Sequence, residues 1–147
     1  MPLTFLFRAE YQPGTVEAVS YTGGKEVSRT VLHTTGKPVV IRLNAETEEM
    51  KAYGESLCYV NAELIDKNGQ VVPDADILLS AKAEGAAALL GFGSGNPITD
   101  ENYSKGQFTS YLGKALAVLR AGYAAGEAKL TISAEGLGQA EICLQVK

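Results

Sequence analysis

Along this chain, hydrophobic side chains recur at every second position. Leu3, Phe5, Phe7, Ala9 and Tyr11 alternate with polar or smaller neighbours, as do Cys58, Val60, Ala62 and Leu64, then Ala128, Leu130, Ile132 and Ala134, then Ala140, Ile142, Leu144 and Val146. A period of two sends one set of side chains into a core and the other into water, which predicts half-buried antiparallel strands. Turn-forming residues separate the runs: Pro13-Gly14, Gly23-Gly24, Lys67-Asn68-Gly69, Gly85, Gly122, Gly126 and Gly136-Leu137-Gly138. Turns about every ten residues predict an all-β, immunoglobulin-like antiparallel sandwich. Two alanine-rich stretches also read as strands. Residues 86–90 are too few for a helix, and 113–120 carry the β-branched Val118 and end at Ala121-Gly122.

A seam falls at Thr34-Thr35-Gly36-Lys37-Pro38. Before it, strands are expected at about 3–11, 15–21 and 25–32; after it, about 110 residues carry enough strand signals for one complete sandwich. Residues 1–36 are therefore expected to be the closing strands of a truncated preceding domain, and 37–147 a complete one. Leu3, Phe5, Phe7, Val16, Val19, Val27 and Val31 are expected to give the first part an apolar face with no second sheet to cover it.

Composition narrows the function. The chain has 147 residues, 46% of them hydrophobic, and a formal charge of −4 without a basic stripe, which argues against nucleic acid and an anionic membrane surface. No apolar run approaches the ~20 residues that span a bilayer, and MPLTFLFRAEY lacks the features of a cleaved leader, so no membrane insertion is expected. The single histidine, His33, has no second histidine or cysteine cluster beside it, and reads as a surface residue. The two cysteines lack a CxxC spacing; Cys58 alternates inward and Cys143 outward, so both are expected as free thiols. No metal or cofactor site is expected.

The ordered series PGTVEAVSYTGGKEVSRTVLHTTGKP, IRLNAE, MKAYG, SLCYVNAELIDKNGQVVPDAD, LLGFGSGNP and YLGKALAVLRAG resembles the C-terminal Ig-like region of bacterial glycoside hydrolase family 2 enzymes, chiefly those called β-galactosidases. The resemblance spans about residues 9–146. It implies that the first motif closes one Ig-like domain and that the rest is the following Ig-like domain, similar also to invasin-type repeats. It further implies that the catalytic carboxylates lie in a barrel earlier in a periplasmic or secreted parent enzyme. The upstream catalytic and Ig-like domains would be the partners.

GFGSGNPITDENY, residues 91–103, is the most chemically suggestive stretch. Relatives tend to read G-x-G-N-G-D-P there, followed by a Glu and an aromatic-x-Gly. Gly91, Gly93, Gly95, Pro97, Glu101, Tyr111 and Gly113 match, while Ser94 and Asn96 replace the amide and the acid. Without that acid, and without carboxylates at alternate positions, calcium is disfavoured. No Gly-Lys-Ser/Thr opens a helix for phosphate. An architectural loop is the favoured reading, its glycines allowing positive φ and close backbone approach; a carbohydrate or interdomain contact through Asn96, Glu101, Tyr103 and Tyr111 is the other. Asp74 and Asp76, and the adjacent Asp100 and Glu101, lie in turns without an evident pocket. Asp74 and Asp76 are expected to order their turn by side-chain hydrogen bonds rather than act as a catalytic pair. The expected role is thus that of a non-catalytic accessory domain, the alternative being a carbohydrate-binding or adhesive module.

Overall fold

A computed structural model describes residues 4–147. The chain forms two compact units that divide between Thr34 and Thr35.

The first unit is a hairpin of β1 (Thr15–Thr22) and β2 (Lys25–His33). Its expected third strand is a correction: residues 4–11 form none, and Leu3 lies outside the described residues. The expected single apolar face is a second correction. The register pairs Val16 with Leu32, whereas Val19 pairs with Arg29 and Val31 with Glu17. Because faces alternate along each strand, Val16 and Leu32 lie on one side and Val19 and Val31 on the other. Val27 falls at the irregularity near Ser20 and Tyr21, where the register shifts. Glu17 and Arg29 form an ion pair on the Val19 side, and Thr15 Oγ1 shares a 2.9 Å hydrogen bond with an exposed His33 Nδ1.

The second unit is an antiparallel sandwich. One sheet has the order β4 (Glu49–Met50), β11 (Gly138–Val146), β10 (Gly126–Ala134), β6 (Leu78–Gly85), β8 (Gln107–Thr109). The other runs β3 (Val40–Ala45), β5 (Leu57–Ile65), β9 (Lys114–Ala121), β7 (Ala87–Gly93). Among the described residues only the β4–β11 pair is parallel, with Gln145 opposite Glu49 and Val146 opposite Met50. Both alanine-rich stretches are strands, β7 and β9. The chain passes between the sheets at Ala86, whose N–H donates to Glu127 O in one sheet while its carbonyl accepts from Gly122 N beside the other.

The alternating positions fill the core as their period requires. Cys58, Val60, Ala62 and Leu64 of β5 and Ala115, Ala117, Leu119 and Ala121 of β9 are buried from one sheet. Leu79, Phe108, Ala128, Leu130, Ile132, Leu144 and Val146 meet them from the other. Small alanines along β9 leave room for Phe92 and Phe108, which are also fully enclosed. Cys58 is buried and Cys143 exposed, both free. Burial is the main influence on the Cys58 thiol and pushes its pKa up.

Candidate functional site

The loop between β7 and β8 is organised from within. Asn96 Oδ1 accepts from Ile98 N at 2.9 Å, and Asn102 Oδ1 accepts from Ser104 N at 2.8 Å, two short turns closed by amide side chains. Glu101 reaches across the loop: one carboxylate oxygen accepts from Thr109 N at 2.8 Å and from Thr109 Oγ1 at 2.9 Å, the other from Thr99 Oγ1 at 3.2 Å. Tyr103 stacks on the enclosed ring of Phe108, with centroids 4.8 Å apart and planes 20° from parallel.

The glycines meet one half of their expectation, close approach, and not the other. Gly91, Gly93 and Gly95 do not have positive φ, so the expected backbone freedom is not what selects them. Gly91 and Gly93 belong to β7 itself. At Gly93 the requirement is close approach, since a Cβ there would lie 2.2 Å from the Tyr103 ring.

Tyr111 stands apart. It is half-buried and opens a tight turn in which Tyr111 N donates to Lys114 O at 2.9 Å and Lys114 N to Tyr111 O at 3.1 Å. The two central residues, Leu112 and Gly113, have φ of 52° and 71°, the mirror-image geometry that matches strand twist. The aromatic-x-Gly motif is thus this turn. Among the described residues no hydrogen bond or ring stacking joins Tyr111 to Asn96, Glu101 or Tyr103.

Asp74 and Asp76 are exposed, and their expected hydrogen bonds to the turn backbone are absent among the described residues; the turn is closed instead by Ala75 N donating to Val72 O at 3.2 Å. Two buried polar residues brace the backbone here and at the preceding turn. Ser110, 2% exposed, donates to Ala75 O at 2.7 Å and accepts from Ile77 N at 2.9 Å. Asp66, 1% exposed, accepts from Gly36 N at 2.9 Å, Asn68 N at 2.9 Å and Gln70 N at 3.0 Å. The signal for Asp66 was its place at the head of the Asp-Lys-Asn-Gly turn.

The Gly36 amide, then that of Gln70, hold the Asp66 carboxyl below the ordinary aspartate range. A depressed pKa means that the carboxylate stabilises the fold fully above the unfolded value, near pH 4, and loses that effect as pH falls through the folded value. Asp66→Asn turns one acceptor oxygen into an NH2 group facing backbone donors. The variant is expected to melt below the parent at pH 7, with the difference shrinking as pH drops below about 4. Equal melting temperatures at pH 7 would show that the three amides do not depend on this carboxylate.

Residues 41–143 match the model of the glycoside hydrolase family 2 C-terminal domain 5. The chain belongs to that family. It is 36% identical to Beta-galactosidase BoGH2A of Bacteroides ovatus over 91% of its own length, and spans 16% of that protein. It is 30% identical to a beta-galactosidase of Thermoanaerobacter pseudethanolicus over 84% of its length, or 17% of that protein. Among solved structures, a glycosyl hydrolase family 2 member from Bacteroides cellulosilyticus superposes with a TM-score of 0.90 at 34% identity, covering 93% of this chain and 18% of that one. The chain thus spans less than a fifth of the length of each of these relatives.

Proposed function

We propose that the chain is a non-catalytic accessory sandwich of a glycoside hydrolase family 2 enzyme of the β-galactosidase type, serving interdomain packing. The state of its carboxylates carries this reading. Glycoside hydrolysis uses two carboxyls about 5–10 Å apart across a sugar-sized cleft, one of them with a raised pKa. Here the buried carboxylate, Asp66, accepts from three backbone amides and is shifted the other way. Glu101 is committed to Thr99 and Thr109, and Asp74 and Asp76 stand in solvent. The same commitment of Asn96 and Glu101 within their loop weighs against the alternative of a carbohydrate-binding or adhesive module. The chain alone is expected to release no chromophore from an aryl β-galactoside at high protein concentration. Turnover that survives repurification and disappears on mutating Asp74, Asp76 or Glu101 would overturn the reading.

The same reading assigns residues 1–36 to the closing strands of a preceding Ig-like domain and 37–147 to a complete one. It is supported by the cross-strand pair Val16 and Leu32, which are 66% and 68% exposed. A two-stranded ribbon has little stability of its own. In the isolated chain, amides of β1 and β2 are expected to exchange far faster than those of β5 and β11. Equal protection at every protein concentration would show that the hairpin is complete as it stands.

A further inference from the structure

An asparagine carries its own electrophile, the side-chain amide carbon Cγ, which the main-chain nitrogen of the next residue can reach by closing a five-membered ring. Closure needs a side chain free to turn. It also needs a following nitrogen that bears a hydrogen and is not crowded, in a backbone not held extended. Four of the five asparagines fail one of these conditions. Asn44 and Asn61 face each other across β3 and β5, where the ladder keeps the backbone extended. Asn96 precedes Pro97, whose nitrogen bears no hydrogen, and its Oδ1 is engaged with Ile98 N at 2.9 Å. Asn102 is engaged with Ser104 N at 2.8 Å and precedes Tyr103, whose ring is stacked on Phe108.

Asn68 meets every condition. It lies in the turn from Asp66 to Gln70, exposed, and its side chain has no hydrogen bond among the described residues. The next residue is Gly69, which has no Cβ to obstruct the approach. Gly69 is exposed, with φ of 79°, and no atom lies within 4 Å of where its Cβ would stand, so the ring has room to form. One contact opposes closure, since Gly69 N donates to Asp66 O at 3.0 Å. It belongs to an exposed turn, where single bonds open far more readily than in a paired strand.

The same turn holds the Asp66 carboxylate. Its Oδ1 accepts from Asn68 N at 2.9 Å and Gln70 N at 3.0 Å, donors on either side of the Asn68–Gly69 peptide, and its Oδ2 accepts from Gly36 N at 2.9 Å. A change in backbone length between those two donors therefore acts on the group that fastens Gly36.

We propose that Asn68 is a site of spontaneous deamidation, and that the isoaspartate formed there loosens the grip of Asp66 on Gly36. Gly69 N attacks Asn68 Cγ; the N–Cγ bond forms, the Cγ–Nδ2 bond breaks, and the nitrogen leaves as ammonia with the proton from Gly69 N. Water then opens the ring, with no oxidation or reduction. Addition at Cγ restores the ordinary main chain with aspartate at this position. Addition at the main-chain carbonyl leaves Gly69 joined through Cγ, an isoaspartate whose backbone is one atom longer. That atom falls between the two amides that share Oδ1, and draws them apart.

Peptide mass spectrometry tests the site on the folded 147-residue chain, incubated at neutral pH in water enriched in heavy oxygen. The peptide holding Asn68 is expected to lose ammonia and gain one heavy oxygen at least several-fold faster than those holding the other four asparagines. Asn68→Ser, an exposed change that removes the electrophile, is expected to abolish the gain. Earlier conversion at another asparagine, equal rates at all five, or conversion of Asn68 only in urea overturns the site. The isoaspartate form, separated chromatographically, is then compared with an Asn68→Asp variant, which carries the charge without the extra backbone atom. Amide exchange at Gly36 is expected to quicken several-fold in the isoaspartate form alone, with β10 and β11 unchanged. Gly36 exchanging alike in the two forms overturns the link to Asp66.

Discussion

Phe108→Ala is expected to destabilise the sandwich by about 3–5 kcal/mol, a large share of the ~5–15 kcal/mol that holds a typical domain together. Phe108 is fully enclosed although it sits on β8, a strand of three residues, opposite Leu79 of β6. Truncation leaves a ring-sized void beneath Tyr103 and removes the stacking partner that fixes the loop. Denaturant unfolding of parent and variant measures the difference. A loss below about 1 kcal/mol would mean that the site collapses freely and that β8 is not part of a closed core.

The second large effect is at the turn of Tyr111 to Lys114. A Cβ on Gly113 would lie 2.2 Å from Val72 O and 3.0 Å from Val72 C, in a backbone with φ of 71°. Backbone cannot retreat as a flexible side chain can, so Gly113→Ala is expected to cost roughly 3 kcal/mol or more from strain and overlap together. It also disturbs the carbonyl that accepts from Leu64 N at 2.8 Å. The neighbouring position has the opposite sign. Leu112 is the one non-glycine with positive φ among the described residues, and its side chain is exposed. Leu112→Asn is expected to stabilise by ~1 kcal/mol, because asparagine enters the left-handed region at lower cost. Thermal melts of the two variants should move in opposite directions; a shared direction would contradict the turn geometry.

What the sequence disclosed depended on how local each cause is. β5, β10 and β11 were legible because each buries one face, and burial writes a period of two into the chain, whereas β9 is apolar on both faces and was legible only from Val118 and the glycine that ends it. The same period misled at residues 4–11, since alternation tells which side chains a strand would bury but not whether a neighbouring strand exists. β4 and β8, of two and three residues, are too short to show any period and arise from pairing with distant strands. At the loop, Glu101 and Tyr103 stood out by residue type, but their partners Thr109 and Phe108 come from the next strand and draw both onto it. Asp66 and Ser110 were missed because Gly36 and Ala75 lie 30 and 35 residues away in the chain.

The parallel pairing of β4 with β11 bears on mechanics. Gln145 N donates to Glu48 O, Lys147 N to Met50 O and Ala52 N to Lys147 O, at 2.8–2.9 Å, and Lys147 also pairs with Glu49. Tension drawn between residues 47 and 147 pulls these two strands in opposite directions along their shared axis. The three bonds lie across that axis, so the load falls on them together instead of opening them one after another. Rupture under force follows the unfolding barrier, and a barrier that requires several bonds to shear at once makes this end of the sandwich a brace against stretching.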